Sequence, residues 1–375
     1  MKELAIIVIM CLYFIGMAGY TAQAEEPIFI AGLYPAVKTT QFTVAFQLRS
    51  ISVALDEINA SGGLLGHPVE LLEFQPTTPI EAAEMAERAL EQGALAMIGS
   101  SYSTVSLAMA PIFQEAGIPM IAPSSTNEKV TLVGDYIFRA CFIDPFQGKL
   151  MAQFAREDLN AKTAVILIKA DSAYSLGLAE VFAQAFREQG EILWEDRYLA
   201  NDADFSRQLQ KIKDLQPDVV FVPGHVRDCA FILKQAELMD VQATFIGGDG
   251  WNNDLLDLAG TDAMEGHYYS SHWHNKVTRP LSLDYVERYR QKFDEETASG
   301  SSALAYDATL LWANAVRRAQ SLDPKAVRDA LAATKGFEGT TGTITFDENR
   351  NPINKDAVIL TFRDGSLEFA KSIRP

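Results

Sequence analysis

From Pro27 onward, short apolar runs alternate with longer amphipathic stretches, and the whole rhythm is run through twice. In the first series, Ile28–Leu33, Val69–Phe74, 95–98 and 118–122 read as buried strands. Between them, 40–60, a stretch opening at Thr78-Pro79-Ile80-Glu81, and 105–115 carry helical periodicity. Thr78 can cap its helix, Pro79 suits the first helical position, and Glu81 can close a capping box. Gly62-Gly63, Gly93 and Gly117 supply the stops. A second series follows Asp144-Pro145, with helices at 146–159, 176–188, 204–214 and 226–239. Its strands are 164–168, 192–198, 219–222 and 244–246. Strands that are apolar throughout and separated by helices predict parallel sheets covered on both faces. The fold class is therefore α/β, with two Rossmann-like, doubly wound lobes.

A chain of 375 residues has the length for two such lobes and exceeds one ordinary core. The tail breaks the rhythm: 283–296, 303–320 and 324–334 read as helices and 343–346 as a strand. The runs 357–362 and 367–370 flank Asp364-Gly365, a strong hairpin signal. The late helices are expected to return to the first lobe and the hairpin to the second, giving a hinge of several strands. The expected division is 1–24 as an export signal, 25–144 plus about 275–342 as one lobe, and 145–274 plus about 343–375 as the other.

The signal assignment rests on Lys2, an apolar run at 4–19 and the small-x-small site Ala22-Gln23-Ala24. That run is short for a membrane span, so a cleaved, soluble, periplasmic chain beginning at Glu25 is expected. The net charge of −17, with no basic block longer than a pair, repels phosphate backbones and excludes nucleic-acid binding. An acidic surface also favours a monomer. Cys11 leaves with the signal, and Cys141 and Cys229 lie in a strand-like and a helical run, which argues against their pairing.

Open parallel sheets bind ligands beyond the carboxyl ends of their strands. Two of the loops there are rich in hydroxyls and lead into helices: Ser103-Thr104 and Ser124-Ser125-Thr126. Hydroxyls beside free helix N–H groups suit a carboxylate, and they equally suit plain N-capping. Asp249, flanked by Gly247-Gly248 and Gly250-Trp251, could hold an ammonium or simply serve a tight turn. Nucleophile-elbow, Walker and His-Glu-x-x-His patterns are missing, and no nucleophile–base pair can be named, so the chain does not read as an enzyme. His267, His272 and His274 lack the cysteine or carboxylate that would complete a metal set, and neither metal nor cofactor is expected.

Several motifs carry a resemblance. The run Ala54-Leu55-Asp56-Glu57-Ile58-Asn59-Ala60-Ser61-Gly62-Gly63 is followed by Leu65-Gly66-His67-Pro68-Val69. Ala116-Gly117-Ile118-Pro119, Pro123-Ser124-Ser125-Thr126-Asn127, Pro217-Asp218-Val219-Val220 and Tyr306-Asp307-Ala308 come later in order. Together they resemble the branched-chain amino-acid-binding proteins of bacterial ABC importers. The resemblance implies the type I periplasmic-binding-protein fold, two lobes joined by a three-crossing hinge, with an amino acid between them. It implies that Ser103 and Thr126 donate to the ligand carboxylate, that the Ser124 carbonyl receives the ammonium, and that Asp249 pairs with it. Tyr174 matches the aromatic after the first strand of the second lobe. His225 stands where leucine-type binders often have Tyr, and Phe42 and Trp251 are further candidates for the side-chain end. A membrane permease is the implied partner. The alternative, a sensing module that presents an amino acid, amide or aromatic acid to a receptor, would use the same site.

Overall fold

The computed structural model describes residues 26–35, 41–295 and 299–374, and the backbone alone for 41–45. The export signal and the side chain of Phe42 lie outside the described residues. The first series is β1 (Ile28–Leu33), α1 (Gln41–Ala60), β2 (Val69–Phe74), α2 (Pro79–Glu91), β3 (Ala94–Gly99), α3 (Ser103–Ala116), β4 (Met120–Ala122), α4 (Lys129–Leu132) and β5 (Ile137–Arg139). Its strands form an all-parallel sheet in the order β2-β1-β3-β4-β5. The second series is α5 (Asp144–Glu157), β6 (Thr163–Lys169), α6 (Ala173–Arg187), β7 (Glu191–Tyr198), α7 (Ser206–Leu215), β8 (Val219–Phe221), α8 (Val226–Leu238), β9 (Thr244–Gly247), α9 (Asp254–Ala259), α10 (Thr261–Met264) and β10 (Tyr268–Ser271). Then come α11 (Pro280–Phe293), α12 (Gly300–Ala319), α13 (Pro324–Ala332), β11 (Phe337–Gly339), β12 (Gly342–Ile344), β13 (Ala357–Arg363) and β14 (Ser366–Ile373).

The second sheet runs β14-β13-β10-β9-β8-β6-β7. Its β7 to β10 portion is parallel, and β13 and β14 are added antiparallel at the edge through the Asp364-Gly365 turn. Each sheet has a core on both faces. On the first, Ile51, Leu55, Leu304 and Trp312 from α1 and α12 fill one side. Ala82, Ala86, Met109 and Phe113 from α2 and α3 fill the other. On the second, Leu209, Ile232 and Leu233 from α7 and α8 face one core, and Met151, Phe154, Leu178 and Phe182 from α5 and α6 the other. The chain passes between the two sheets three times: after β5, after β10, and between β12 and β13. Ile344 and Phe346 pack in the core of the first sheet, and Arg350 and Asn351 bond to Ile137 and Thr131 beside it.

Local chemistry explains the element starts. Thr78 caps α2 through its Oγ1, which accepts the Glu81 N–H at 3.1 Å. The Glu81 carboxylate turns back one residue earlier than a regular capping box, accepting the N–H and hydroxyl of Thr77 at 2.7 and 2.6 Å. The helix expected at 105–115 begins at Ser103 instead, with Tyr102 as N-cap and no side-chain cap. Among the described residues no helix is long and apolar enough to cross a membrane. Cys141 and Cys229 are both buried free thiols in separate cores.

The five-residue histidine inventory has a consequence for acid stability. Burial holds His267 at about 4, where its Nδ1 accepts the Phe245 N–H at 3.3 Å. His274 sits at about 4 and His225 at about 3 for the same reason. An unfolded imidazole titrates near ~6.5. Because the folded values are depressed, stability is fully present above pH ~6.5 and is lost as pH falls towards the folded values. Asp144 runs the other way. Burial raises it to about 8, so its contribution is full below pH ~4 and lost as pH rises through 8. The cleanest readout is therefore a difference. The melting temperature of His267→Asn, which keeps an acceptor facing Phe245, should fall less between pH 7 and pH 4 than that of the parent. Parallel curves for the two proteins would show that His267 does not titrate on unfolding.

Candidate functional site

The loops after β3, β4, β6, β8 and β9 converge where the two sheets face each other. Arg139, at the end of β5, fixes the most elaborate of them from beneath. Its buried guanidinium donates to the carbonyls of Ser125 at 2.6 Å and Asn127 at 2.9 Å and to the Thr131 hydroxyl at 3.1 Å. Ser125 in turn donates to the Ser100 carbonyl at 2.7 Å and shares a hydrogen bond with Ser106 at 2.8 Å. Ser103, at the first position of α3, accepts the Asn127 N–H at 3.2 Å. The two hydroxyl-rich loops are thus stitched into one unit by their own side chains.

Within that unit the hydroxyls have separate places. The Ser124 Oγ is buried, has no protein partner among the described residues, and lines a cavity of about 50 Å³ between the lobes. That volume is several times the roughly 10–15 Å³ that one water requires. Ser103 and Thr126 are buried behind this wall. The Thr126 hydroxyl faces the carboxyl of Asp144, and its carbonyl accepts the Asp144 N–H at 2.9 Å. Asp144 is pushed up to about 8, chiefly by burial, with the Thr126 hydroxyl pulling the other way and the charge of Asp249 adding to the rise.

Asp249 reaches the same cavity from the loop after β9. Both its oxygens are held: Oδ1 accepts from Gln147 Nε2 and Oδ2 pairs with His272 Nε2, each at 2.9 Å. Gln147 also donates to the Ser270 hydroxyl at 2.9 Å. Burial lowers the His272 pKa, against the opposing pull of Asp249. A carboxylate oxygen accepts more than one hydrogen bond, so this support orients Asp249 and leaves it able to receive a cation. The glycines around it have a reason other than the approach of a ligand. A Cβ on Gly248 would strike the Tyr174 hydroxyl, and one on Gly250 would strike the Gly224 carbonyl. Tyr174 itself lines the cavity, and its hydroxyl accepts the Gly250 N–H at 3.1 Å.

His225 lines the same cavity, with its ring stacked on Tyr102 of the other lobe at 4.4 Å and 8°. Its pKa falls to about 3, through burial first and the nearby Lys169 second. Beyond this stacked pair lies an outer cleft of about 520 Å³, which Tyr102 and His225 also line. Two hydrogen bonds close the lobes alongside: Asn127 Nδ2 to the Ala173 carbonyl at 2.8 Å, and the Ala173 N–H to Thr104 Oγ1 at 3.0 Å.

Trp251, expected at the side-chain end, is not on the lining of this cavity and borders a smaller chamber beside it. Its ring is packed in the core of the second sheet, where Nε1 donates to the Val222 carbonyl at 3.0 Å. The indole gains more from a buried core with a satisfied N–H than from a ligand wall. The three clustered histidines are spent separately, on Phe245, Asp249 and Lys276. Among the described residues no three His, Cys, Asp or Glu side chains converge as a metal site. Gln47, Ser101, Tyr102, Asn252 and Ser301 also line the cavity and were not singled out from sequence. Arg139, Asp144, Gln147 and His272, which shape it from behind, were missed as well.

Known proteins share this fold. The family model described as "Periplasmic binding protein" matches residues 27–366. The leucine-binding protein LivK of Thermotoga maritima has 33% sequence identity and a TM-score of 0.87, over 93% of this chain and 99% of that one. The branched-chain amino acid transporter substrate-binding protein LivJ of Streptococcus pneumoniae, solved with isoleucine, has 31% identity and a TM-score of 0.86, over 93% and 100%. A leucine-, isoleucine-, valine-, threonine- and alanine-binding protein of Pseudomonas aeruginosa is 26% identical over 353 residues, 92% of each chain. With a family match across nearly its whole length and the two-lobed fold to go with it, this chain belongs to the periplasmic binding proteins.

Proposed function

We propose that the chain is the extracytoplasmic solute-binding component of an ABC importer, and that it closes on an amino acid of branched-chain size. The observation that carries this reading is the pairing of opposite chemistries on one cavity. An unpartnered Ser124 hydroxyl faces it from one lobe and the Asp249 carboxylate from the other. A zwitterion matches that pair, its carboxylate at the Ser103, Ser124 and Thr126 loops and its ammonium at Asp249. Tyr174 and His225 wall the space between. The relatives named above are binding proteins rather than enzymes, and this chain is read as non-catalytic too. The lobes are 25–144 with about 275–352, and 145–274 with the residues after about 352. Export with cleavage after Ala24, a monomeric state and delivery to a membrane permease complete the proposal.

Calorimetry on the mature chain with the common amino acids tests it. At least one amino acid should bind. Its decarboxylated amine and its deaminated acid should each bind at least about tenfold more weakly, because every lost charged contact is worth more than ~1.4 kcal/mol. An amine or acid that binds as well as the amino acid would rule out the zwitterion clamp.

A further inference from the structure

Besides Ser124 and Asp249, the cavity carries four more polar side chains: Gln47, Ser101, Asn252 and Ser301. Among the described residues lining it, only Pro35 and Val226 are purely aliphatic, and the rest of the lining is Gly250 and the rings of Tyr102, Tyr174 and His225. Gln47 is 3% exposed, and its Nε2 donates to Ser101 Oγ at 2.5 Å. Ser301 Oγ is hydrogen-bonded to Ser299 Oγ at 2.7 Å. A second, smaller chamber of about 20 Å³ adjoins the cavity through Asp249, Asn252 and Ser301, and Ser271, Ser299 and His272 are also on its wall.

The exposed surface of this wall is mostly apolar, and the polar groups set into it are few enough to name. Small-molecule pockets are mostly apolar, with a few polar groups placed to meet polar atoms of the ligand. A Ser hydroxyl has one donor and two acceptor positions, and a Gln amide has two donors and an acceptor. The single bond between Gln47 and Ser101 uses one donor and one acceptor of that set. Closing a methyl group against the remainder strips water from them without replacing it. A hydroxyl or carboxamide on the ligand replaces that water directly.

We infer that this chain selects an amino acid whose side chain carries a neutral hydrogen-bonding group, a hydroxyl or a carboxamide, and that Gln47, Ser101 and Ser301 read it. This rests on the amino-acid reading of the site and narrows it. Discrimination of this kind is large in principle, because a site built to bond a hydroxyl leaves its own groups unpaired around the analogue that lacks one.

The test uses two pairs of amino acids matched in shape, threonine with valine and asparagine with leucine, titrated calorimetrically into the mature protein. Threonine should bind at least about tenfold more tightly than valine, or asparagine than leucine. In Gln47→Met, which keeps length and loses the amide, the preference should shrink to about threefold or less. Ser301→Ala provides the same comparison on a smaller change, should Gln47→Met melt much below the parent. A preference in either pair that shrinks in a variant supports the inference. Valine and leucine binding as tightly as their partners overturns it and leaves the zwitterion clamp standing. Failure of every common amino acid to bind overturns both.

Discussion

Asp249→Asn is expected to weaken amino-acid binding by roughly thirtyfold to a few thousandfold. Removing one partner of a desolvated charge pair costs about 2–5 kcal/mol, and each ~1.4 kcal/mol is a decade in affinity. The geometry makes the loss twofold in kind. The neutral amide no longer balances the ammonium, and because Gln147 Nε2 donates to one oxygen, the new NH₂ keeps a partner only if the His272 imidazole takes the tautomer whose Nε2 accepts. The support of the loop is then rearranged as well as its charge removed. Thr126→Val should weaken binding by less, since the Thr126 hydroxyl faces Asp144 behind the cavity wall and the Ser124 hydroxyl on the wall remains. Calorimetry on both variants, with melting curves to confirm folding, makes the comparison. An Asp249→Asn protein that binds its amino acid as tightly as the parent would remove Asp249 from the site.

The largest effect on stability is expected from Asp307→Ala. Asp307 is fully buried in α12 and accepts the N–H groups of Thr340 and Thr341 at 2.7 and 2.8 Å and the Thr341 hydroxyl at 2.5 Å. That hydroxyl in turn accepts from the buried Lys355 ammonium at 2.7 Å. Burial lowers Lys355 to about 8, and the Asp307 charge opposes the fall. Truncation would leave two backbone donors and one ammonium without their anion in the segment that leads to the third passage between lobes. Breaking a buried pair in this way costs roughly 3–5 kcal/mol. Chemical denaturation of Asp307→Ala should show a loss of that size, and a loss under about 1 kcal/mol would mean that water replaces the carboxylate.

The sequence allowed the loops to be found because their position follows from sheet geometry and their composition is unusual. Ser124 and Asp249 stand out even without partners, one in a run of hydroxyls and the other among glycines. What supports them was not legible. Gln147 meets Asp249 across 102 positions, and Gln47 meets Ser101 across 54. No local pattern announces a buried Gln or Arg that works through a distant carbonyl. The errors are instructive in the same way. Ser103 reads as a residue ahead of its helix, yet α3 begins with it, and its hydroxyl accepts the Asn127 N–H from the neighbouring loop. Trp251 sits beside glycines that looked like a ligand approach, but they accommodate Tyr174 and the loop at Gly224. The short β10, with two serines among its four residues, carries too weak an apolar signal to read as a strand, although it bridges β9 and β13.

The stack of Tyr102 on His225 joins opposite lobes over a cavity that holds little more than a small solute. A bound molecule that leaves by the opening of the lobes must wait for this stack to part. Its departure is then a first-order event whose clock is the parting of the lobes, and a rival solute in excess cannot hasten it. The residence time belongs to the protein rather than to the solution. A membrane partner that pries the lobes apart would control, by that one movement, both when the cargo leaves and on which side of the encounter it does so.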